Sequence, residues 1–461
     1  MATALHSDVL LGKVRKALDG RRLIWFGTRG EDGEALLRLP ELEASFAVTA
    51  PLRSARIPAE ANVTLEHLAG ARPDLDQHDI DLDVSEAAEE FRRRLLREVS
   101  TRCVVVTYRP AHIVSAMAFS MTETMTLAGL FKDRQLAFEH KPWVETALAR
   151  HDVRTLGWRY FADEHRWSVR RLATTGPIVL RANRASGGVG IVRIENGAQV
   201  ETHWPADAEG FVGVAPFLDG ATPLNLSGCV FRDGSVHLHP PSVQLIGLPD
   251  CTERPFGYCG NDFAAVAALS PGALDELDAM GRTVGAWLHS ERYVGAFGID
   301  ALCTDDHVHF TEVNPRFQGS SALSADVAQQ MEVPDLFLEH VAASLGVDPQ
   351  GPGLTVREWV ARQPGCSHIV VHNTSLAVAT RLPDIRLPTV PAGTRLTQLL
   401  PTDVAALPGA ALCRIATPGS VTTTGFELDG ASSALVSDLS ACFGGQSVTK
   451  RKEPPRVAQR R

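Results

Sequence analysis

The stretch "FGIDALCTDDHVHFTEVNPRFQGSS", Phe297 to Ser321, constrains the fold more than any other part of the chain. Two apolar runs, "GIDALC" and "VHFTEVN", flank the polar "TDDH", so the segment reads as a β-hairpin. A turn centred on Asp306 pairs residue 303 with 309 and residue 300 with 312. Opposed residues of a hairpin point to one face. Glu312, Asn314 and Arg316 are spaced by two and share that face with Asp300. Pro315 ends the strand. Two carboxylates side by side repel and do not stabilise a sheet. A hard divalent cation removes the repulsion, and Mg²⁺ takes carboxylate and amide oxygens while leaving positions for phosphate. Arg316 adds a planar positive fork suited to phosphate.

The rest of the chain is long enough to build a cavity around such a hairpin. Its 461 residues imply two to four domains, and with 44% hydrophobic and 21% charged residues it can bury a sizeable core. A net charge of −9 argues against nucleic acid or an anionic membrane as partner. No apolar run reaches the length of a membrane span, and the N-terminus lacks the layout of a signal peptide, so a cytoplasmic location is expected. The eight cysteines are scattered without a Cys-x-x-Cys pair, which predicts reduced thiols and no zinc site. Arg outnumbers Lys 39 to 6, and between the two ends of the chain only Lys132 and Lys141 survive. That bias makes those two lysines worth examining.

Short apolar strands alternate with amphipathic helices over residues 1–115, as in "RRLIWFGTRG", "SFAVTAP", "SEAAEEFRRRLLREVS" and "TRCVVVTYRP". The pattern predicts an open α/β layer. Gly27, Gly30 and Gly33 follow its first strand, do not spell the dinucleotide fingerprint, and read as a tight turn. Helical patterning continues from residue 116 through "MTLAGLFKDRQLAFEHKPWVETALARHDV". Several strands and the helix "LDELDAMGRTVGAWLHSERY" then lead into the carboxylate hairpin, completing a central unit over 116–350. Beyond it, residues 351–448 read as a smaller C-terminal α+β unit, and the basic 449–461 as a disordered tail. No internal repeat is visible.

Further segments carry chemistry. "RASGGVG" lies between two apolar strands, and Ser186, Gly187 and Gly188 would let backbone N–H groups approach an anion. A Gly-rich hairpin turn has the same appearance. Arg181 precedes it in the apolar "IVLRAN", where a charge needs a partner that phosphate would supply. Lys141 in "FEHKPW" is a second candidate phosphate contact, against the plain reading of a solvated helix lysine. "VAPFLDG" reads as a strand end entering a linker, where backbone at Pro216, Phe217 and Leu218 would hold an adenine edge and Asp219 a ribose; taken without the flanking motifs it reads as an ordinary Asp-Gly turn. Gln244, Arg254, Tyr258 and Asn261 are polar groups in Gly/Pro-rich loops, where specificity often resides, and are candidate substrate contacts.

In this order Lys141, Arg181, "ASGGVG", "APFLDG", Asp300 and "EVNPR" resemble the ATP-grasp superfamily over roughly residues 116–350. The resemblance implies a three-part α/β and α+β architecture: an N-terminal Rossmann-like domain, a two-subdomain ATP-grasp core and a small C-terminal α+β domain. It implies ATP between the two subdomains and two Mg²⁺ ions, with Mn²⁺ able to substitute, held by Asp300, Glu312 and Asn314. It also implies phosphate contacts from Lys141 and Arg181, and Arg316 as the catalytic group beside an acyl phosphate. The sequence departs from the family in having Arg181 for its second lysine, Ala215 for an acidic hinge residue, and Asn225 where many members place Glu near the ribose. No lysine flanked by methionines marks a biotin carrier, and the module occurs once, unlike in carbamoyl-phosphate synthase.

The layout is similar to stand-alone peptide ligases of bacterial natural-product pathways, such as the pheganomycin type. The expected activity is an ATP-dependent ligase that joins a small carboxylic acid to an amine, an amino acid or peptide, releasing ADP and phosphate. Thioester or phosphoryl transfer, and a non-catalytic ATP-binding module, are the alternatives. Members of the superfamily are often dimers, so a homodimer is the expected assembly.

Overall fold

The computed structural model describes residues 2–184, 187–205, 209–305, 307–375, 390, 392–398, 400–401 and 403–443. Ser186, Asp306 and the basic tail therefore lie outside the described residues. Three large sheets and a two-stranded parallel pair, Ala71–Arg72 with Ala405–Ala406, organise the rest. Five parallel strands form the first: β1 (Arg22–Arg29), β2 (Leu42–Thr49), β3 (Asn62–Thr64), β4 (Cys103–Thr107) and β5 (Met125–Ala128), in the order β3-β2-β1-β4-β5. Chain direction across the sheet thus reverses between β1 and β4, as in doubly wound nucleotide-binding folds.

The second sheet is antiparallel: β6 (Arg159–Ala162), β7 (Ile178–Arg181), β8 (Ile191–Ile194) and β9 (Phe211–Pro216), ordered β6-β9-β7-β8. The third has nine strands, all antiparallel: β10 (Thr222–Val230), β11 (Val236–Leu238), β12 (Ser242–Ile246), β13 (Tyr258–Asp262), β14 (Gly295–Thr304), β15 (His307–Asn314), β16 (Cys366–His372), β17 (Arg395–Gln398) and β18 (Ala411–Pro418). Its order is β15-β14-β10-β12-β13-β16-β18-β17, with β11 paired to β10. The sheet therefore runs unbroken across residue 351, and strands from both sides of it share one hydrogen-bonded surface.

Local chemistry accounts for most elements. The helix Pro271–Ser290 starts at Ser270, whose hydroxyl accepts from the Ala273 N–H, with Pro271 at its first position. Leu274, Leu277, Met280, Val284 and Leu288 recur at helical spacing and are buried. A Cβ at Gly285 would lie 2.5 Å from a methyl carbon of Val236, so glycine there lets the helix seat on the third sheet.

Two expectations are corrected. "MTLA" at 125–128 is a strand, the edge of the first sheet, not part of a helical run. Four residues carry too little periodicity to show this, and pairing with the buried β4 decides it. Gly27 lies inside β1 and not in a turn, whereas the Gly33 N–H closes a turn onto the Gly30 carbonyl at 2.9 Å, and a Cβ at Gly27 or Gly33 would stand 2.7–2.8 Å from the Trp25 indole. The fully buried Trp25 ring packs at 6.1 Å from Phe317 and 5.9 Å from Phe337, joining the first sheet to the segment after the carboxylate hairpin.

Beside this aromatic cluster lies His340, 2% exposed. Its Nδ1 accepts from the Ala296 N–H at 2.9 Å, and its Nε2 sits 3.1 Å from the Ala128 carbonyl, so the neutral Nε2–H tautomer satisfies both partners. Burial pushes the ring down to about 4 from the usual 6.5, against the small opposing pull of the Ala128 carbonyl. Above pH 6.5 folded and unfolded chains are both neutral at this site. Between 6.5 and 4 only the unfolded chain takes the proton, so stability falls as the solution is acidified, by about 3 kcal/mol in all. Urea midpoints measured from pH 7 to pH 4 should fall more steeply for the native chain than for His340→Gln. Parallel slopes would show that His340 is not the group responsible.

Candidate active site

One cavity of about 360 Å³ opens where the three sheets meet. Trp158, Val179, Ile191, Phe217, Leu218 and Leu302 line an apolar part, and Asp300, Glu312, Asn314, Arg316 and Gln318 line a charged part. The hairpin that supplies the charged part pairs Asp300 directly with Glu312 and Gly298 with Asn314. The route to that register differs from the expectation. Thr304 pairs with His307 and Cys303 with Val308, and a bulge between Asp300 and Ala301 shifts the register back. The bulge leaves Thr311 outside the ladder, with its hydroxyl donating to the Asp300 carbonyl at 2.8 Å.

Asp300 is wrapped in amides. Its Oδ1 accepts from Asn225 at 2.9 Å, Gln244 at 2.8 Å and Gln318 at 3.2 Å, and its Oδ2 from Asn314 at 3.3 Å. Burial and then the Glu312 charge still push its carboxyl up to about 6. Gln318 gets there because residue 298 is glycine: a Cβ would meet its Oε1 at 1.7 Å. Glu312 faces the Lys141 ammonium at 3.0 Å. Arg316 reaches Asn314 Oδ1 at 2.8 Å, Glu139 at 3.2 Å and the Phe317 carbonyl at 3.1 Å. Although burial opposes the charge on each, Glu139 holds Arg316 above its ordinary value, and Arg316 and Arg109 hold Glu139 below its own. Among the described residues no three His, Cys, Asp or Glu side chains group as a metal cage. A cation here would take two carboxylates and the Asn314 amide.

The two expected phosphate cations are both engaged with acids. Arg181, 4% exposed, is bonded to Glu145, donates to the Thr311 carbonyl at 3.1 Å, and lies 3.8 Å from the centre of the Trp158 ring. Tyr160 donates to the same Glu145. The partner that a charge in an apolar strand requires is thus a protein carboxylate, supplied by the helix Lys141–Ala149. Lys141 itself is buried, not a solvated helix residue.

The remaining candidates divide. Gly187 and Gly188 line the cavity at φ +61° and +76°, and a Cβ at Gly188 would collide with the Phe256 carbonyl at 2.1 Å. Pro216, Phe217 and Leu218 line it too, while the mostly exposed Asp219 meets Arg193 at 3.4 Å. Asn225 stands opposite Asp300, with Nδ2 also 2.7 Å from Gln318 Oε1 and Oδ1 accepting from Ser320 at 2.7 Å, so its amide is committed beside the carboxylates. Gln244 also serves Asp300. Arg254 does not line the cavity: it binds Asp74 and Asp76, and lies 3.4 Å from the Gly187 carbonyl, tying the Gly loop to the first domain. Tyr258 and Asn261 line the cavity, with Tyr258 donating to Asn261 and Asn261 donating to Ser242 at 2.9 Å.

Sequence reasoning passed over Gln318, Trp158, Glu139, Glu145 and Arg109. Gln318 alone had a signal, standing two residues beyond Arg316 in the same motif.

This is the ATP-grasp fold. The biotin carboxylase domain of Hydrogenobacter thermophilus 2-oxoglutarate carboxylase, solved with MgADP, ADP and bicarbonate, matches with a TM-score of 0.60 at 13% identity, over 87% of this chain and 86% of its own. Carboxyaminoimidazole ribonucleotide synthase of Aspergillus clavatus, complexed with ATP, matches at 0.56 and 13% identity, over 92% and 99%. The Thermus thermophilus N5-carboxyaminoimidazole ribonucleotide synthetase matches at 0.53 and 15%, over 94% and 100%. No family model and no curated protein matches the sequence.

The Arg181–Glu145 pair should behave as a buried structural ion pair. Arg181→Ala strands a buried carboxylate and should cost about 3 kcal/mol in urea unfolding, whereas the double change with Glu145→Ala should cost less than the two single changes summed. An Arg181→Ala protein of unchanged stability whose KM for ATP rises would assign the guanidinium to the nucleotide instead.

Proposed function

We propose that the protein is an ATP-dependent ligase that activates a carboxylic acid as an acyl phosphate and joins it to an amine, releasing ADP and phosphate. The observation that carries this reading is the convergence of Asp300, Glu312, Asn314 and Arg316 on one wall of a cavity in an ATP-grasp fold. The donor set suits a hard cation: two carboxylates and an amide oxygen, with Asp300 lifted first by burial and then by the Glu312 charge, which a cation would offset. Asp300, Glu312 and Asn314 would hold Mg²⁺, two ions in all with Mn²⁺ able to replace them, and when bound the metal neutralises charge on the nucleotide phosphates.

The protein's own groups do the rest. The apolar wall of Trp158, Val179, Ile191, Phe217 and Leu302 suits a flat purine, with the Pro216–Leu218 backbone at its edge. Gly187 and Gly188 present backbone to the phosphates, and Ser186 is proposed to share that loop. Lys141 exchanges part of its contact with Glu312 for a phosphate oxygen, and Arg181 backs it from behind the Glu145 pair. The charged wall sits at the phosphate end, which makes the γ-phosphorus the point of attack by the acid. Arg316 then faces the negative charge that builds on the carbonyl oxygen when the amine adds. Two of the structural neighbours were solved with bicarbonate and with 5-aminoimidazole ribonucleotide, a small acid and an amine, which supports a carboxyl–amine reaction in this fold. Peptide or amide bond formation is the finer form of this reading, with an amino acid or peptide as amine.

Incubation with ATP, Mg²⁺ and pooled amino acids should release ADP and phosphate together with a new amide. With ¹⁸O in the carboxylate, label should pass into the phosphate. AMP and pyrophosphate formed in step with product would exclude the acyl phosphate. Glu312→Gln and Asn314→Ala should each lower kcat by about a hundredfold or more while leaving the far-ultraviolet circular dichroism unchanged. Normal turnover by either variant at ordinary Mg²⁺ would remove these residues from the metal site.

A further inference from the structure

The cavity extends past the charged hairpin to the first sheet. Thr28 and Arg29, at the end of β1, and Tyr108 and Arg109, just beyond β4, line it. These are the carboxyl ends of the two strands between which the sheet order reverses, where the crevice of a doubly wound sheet accepts ligands.

Four arginines line the cavity, and three are occupied. Arg29 is bonded to Asp32 at 2.8 Å, Arg181 to Glu145, and Arg316 to Glu139 at 3.2 Å. Arg109 makes no ion pair and no hydrogen bond among the described residues, and its Nε is buried without a partner. Glu139, the acid whose charge it feels, already accepts from Arg316 and from Gln135 at 2.6 Å. Arg109 is half-buried and lines the cavity with a buried Nε that lacks an acceptor, so an anion there meets a positive group with a donor to spare.

We propose that Arg109 binds a second anionic group of the substrate, a carboxylate or a phosphate that takes no part in the reaction. The inference rests on reading this cavity as the site of ligation. The reacting carboxyl belongs at the Asp300–Arg316 end. A cation gripping it firmly in the ground state would hold back its attack, so the group held by Arg109 is one that survives unchanged into product. Arg109 is then a specificity residue: it selects substrates bearing an extra negative charge and sets their orientation.

Calorimetric titration with two probes, acetate and inorganic phosphate, tests this in nucleotide-free and MgADP-saturated protein. The native protein should bind at least one probe, and the tighter of the two identifies carboxylate or phosphate as the group recognised. Arg109→Ala should weaken that binding at least tenfold, and Arg109→Lys should restore part of it. MgADP affinity should stay within twofold in both variants, which also shows that they fold. Native protein that binds neither probe, or Arg109→Ala that binds them as well as native, overturns the proposal. Failure of the native protein to bind MgADP, with the Arg109-dependent anion binding intact, would instead overturn the ligase reading and leave the anion site standing.

Discussion

Asp300 and Glu312 are directly paired on neighbouring strands, and the surrounding structure is arranged to keep them there. Like charges in that position push a hairpin apart unless something offsets them. Here the offset is distributed. Amides from Asn225, Gln244, Asn314 and Gln318, carried on β10, β12, β15 and the segment after it, all donate to Asp300. Lys141 meets Glu312 from a helix outside the third sheet. Three of these donors sit on β10, β12 and β15, so the repulsion is tolerated only when those strands are in register. The carboxyl remains raised after four hydrogen bonds because burial and then the Glu312 charge outweigh those donors.

The cations around the cavity show the same economy. Arg181, Arg316 and Lys141 are each bound to a carboxylate, so the cavity floor is a nearly balanced network of charges rather than a bare positive patch. Balance keeps these like charges from repelling one another, and the paired groups hold one another in fixed rotamers. Arg109 adds to the positive field on Glu139 but makes no ion pair among the described residues. It reaches the site because the Trp25, Phe317 and Phe337 rings lock the first sheet against the segment that follows the hairpin. The same contact brings the reversal point of the parallel sheet to the cavity mouth. Nucleotide phosphates at one end and a further anion at the other would then each meet a positive group already in place.

The tie from Arg254 to Asp74 and Asp76, with the Gly187 carbonyl beside it, places the Gly loop under the control of the first domain. Arg254, read from sequence as a candidate substrate contact, is thus engaged by Asp74 and Asp76 beside the Gly loop. Polar side chains in loops carry no mark that separates these two roles. Both demand a charged group near a turn, and only the partner's position tells them apart.

The amino-acid sequence by itself determined the alternating first layer, the long Pro271–Ser290 helix, and the set Asp300, Glu312, Asn314 and Arg316 on one face. These features repeat with the period of the backbone, so spacing alone reports them. The bulge at Asp300, the strand at Met125–Ala128, the use of Gly27 and Gly33 to seat Trp25, and the acids that bind Arg181 and Lys141 were decided by tertiary structure. Most of these depend on a partner distant in sequence: Glu145 lies 36 residues before Arg181, and Asn225 lies 75 before Asp300. Periodicity records which face a side chain takes, but not what faces it across the cavity. Arg109 is the clearest instance, since an unpaired guanidinium can be recognised only when every neighbour that might have paired with it is in place.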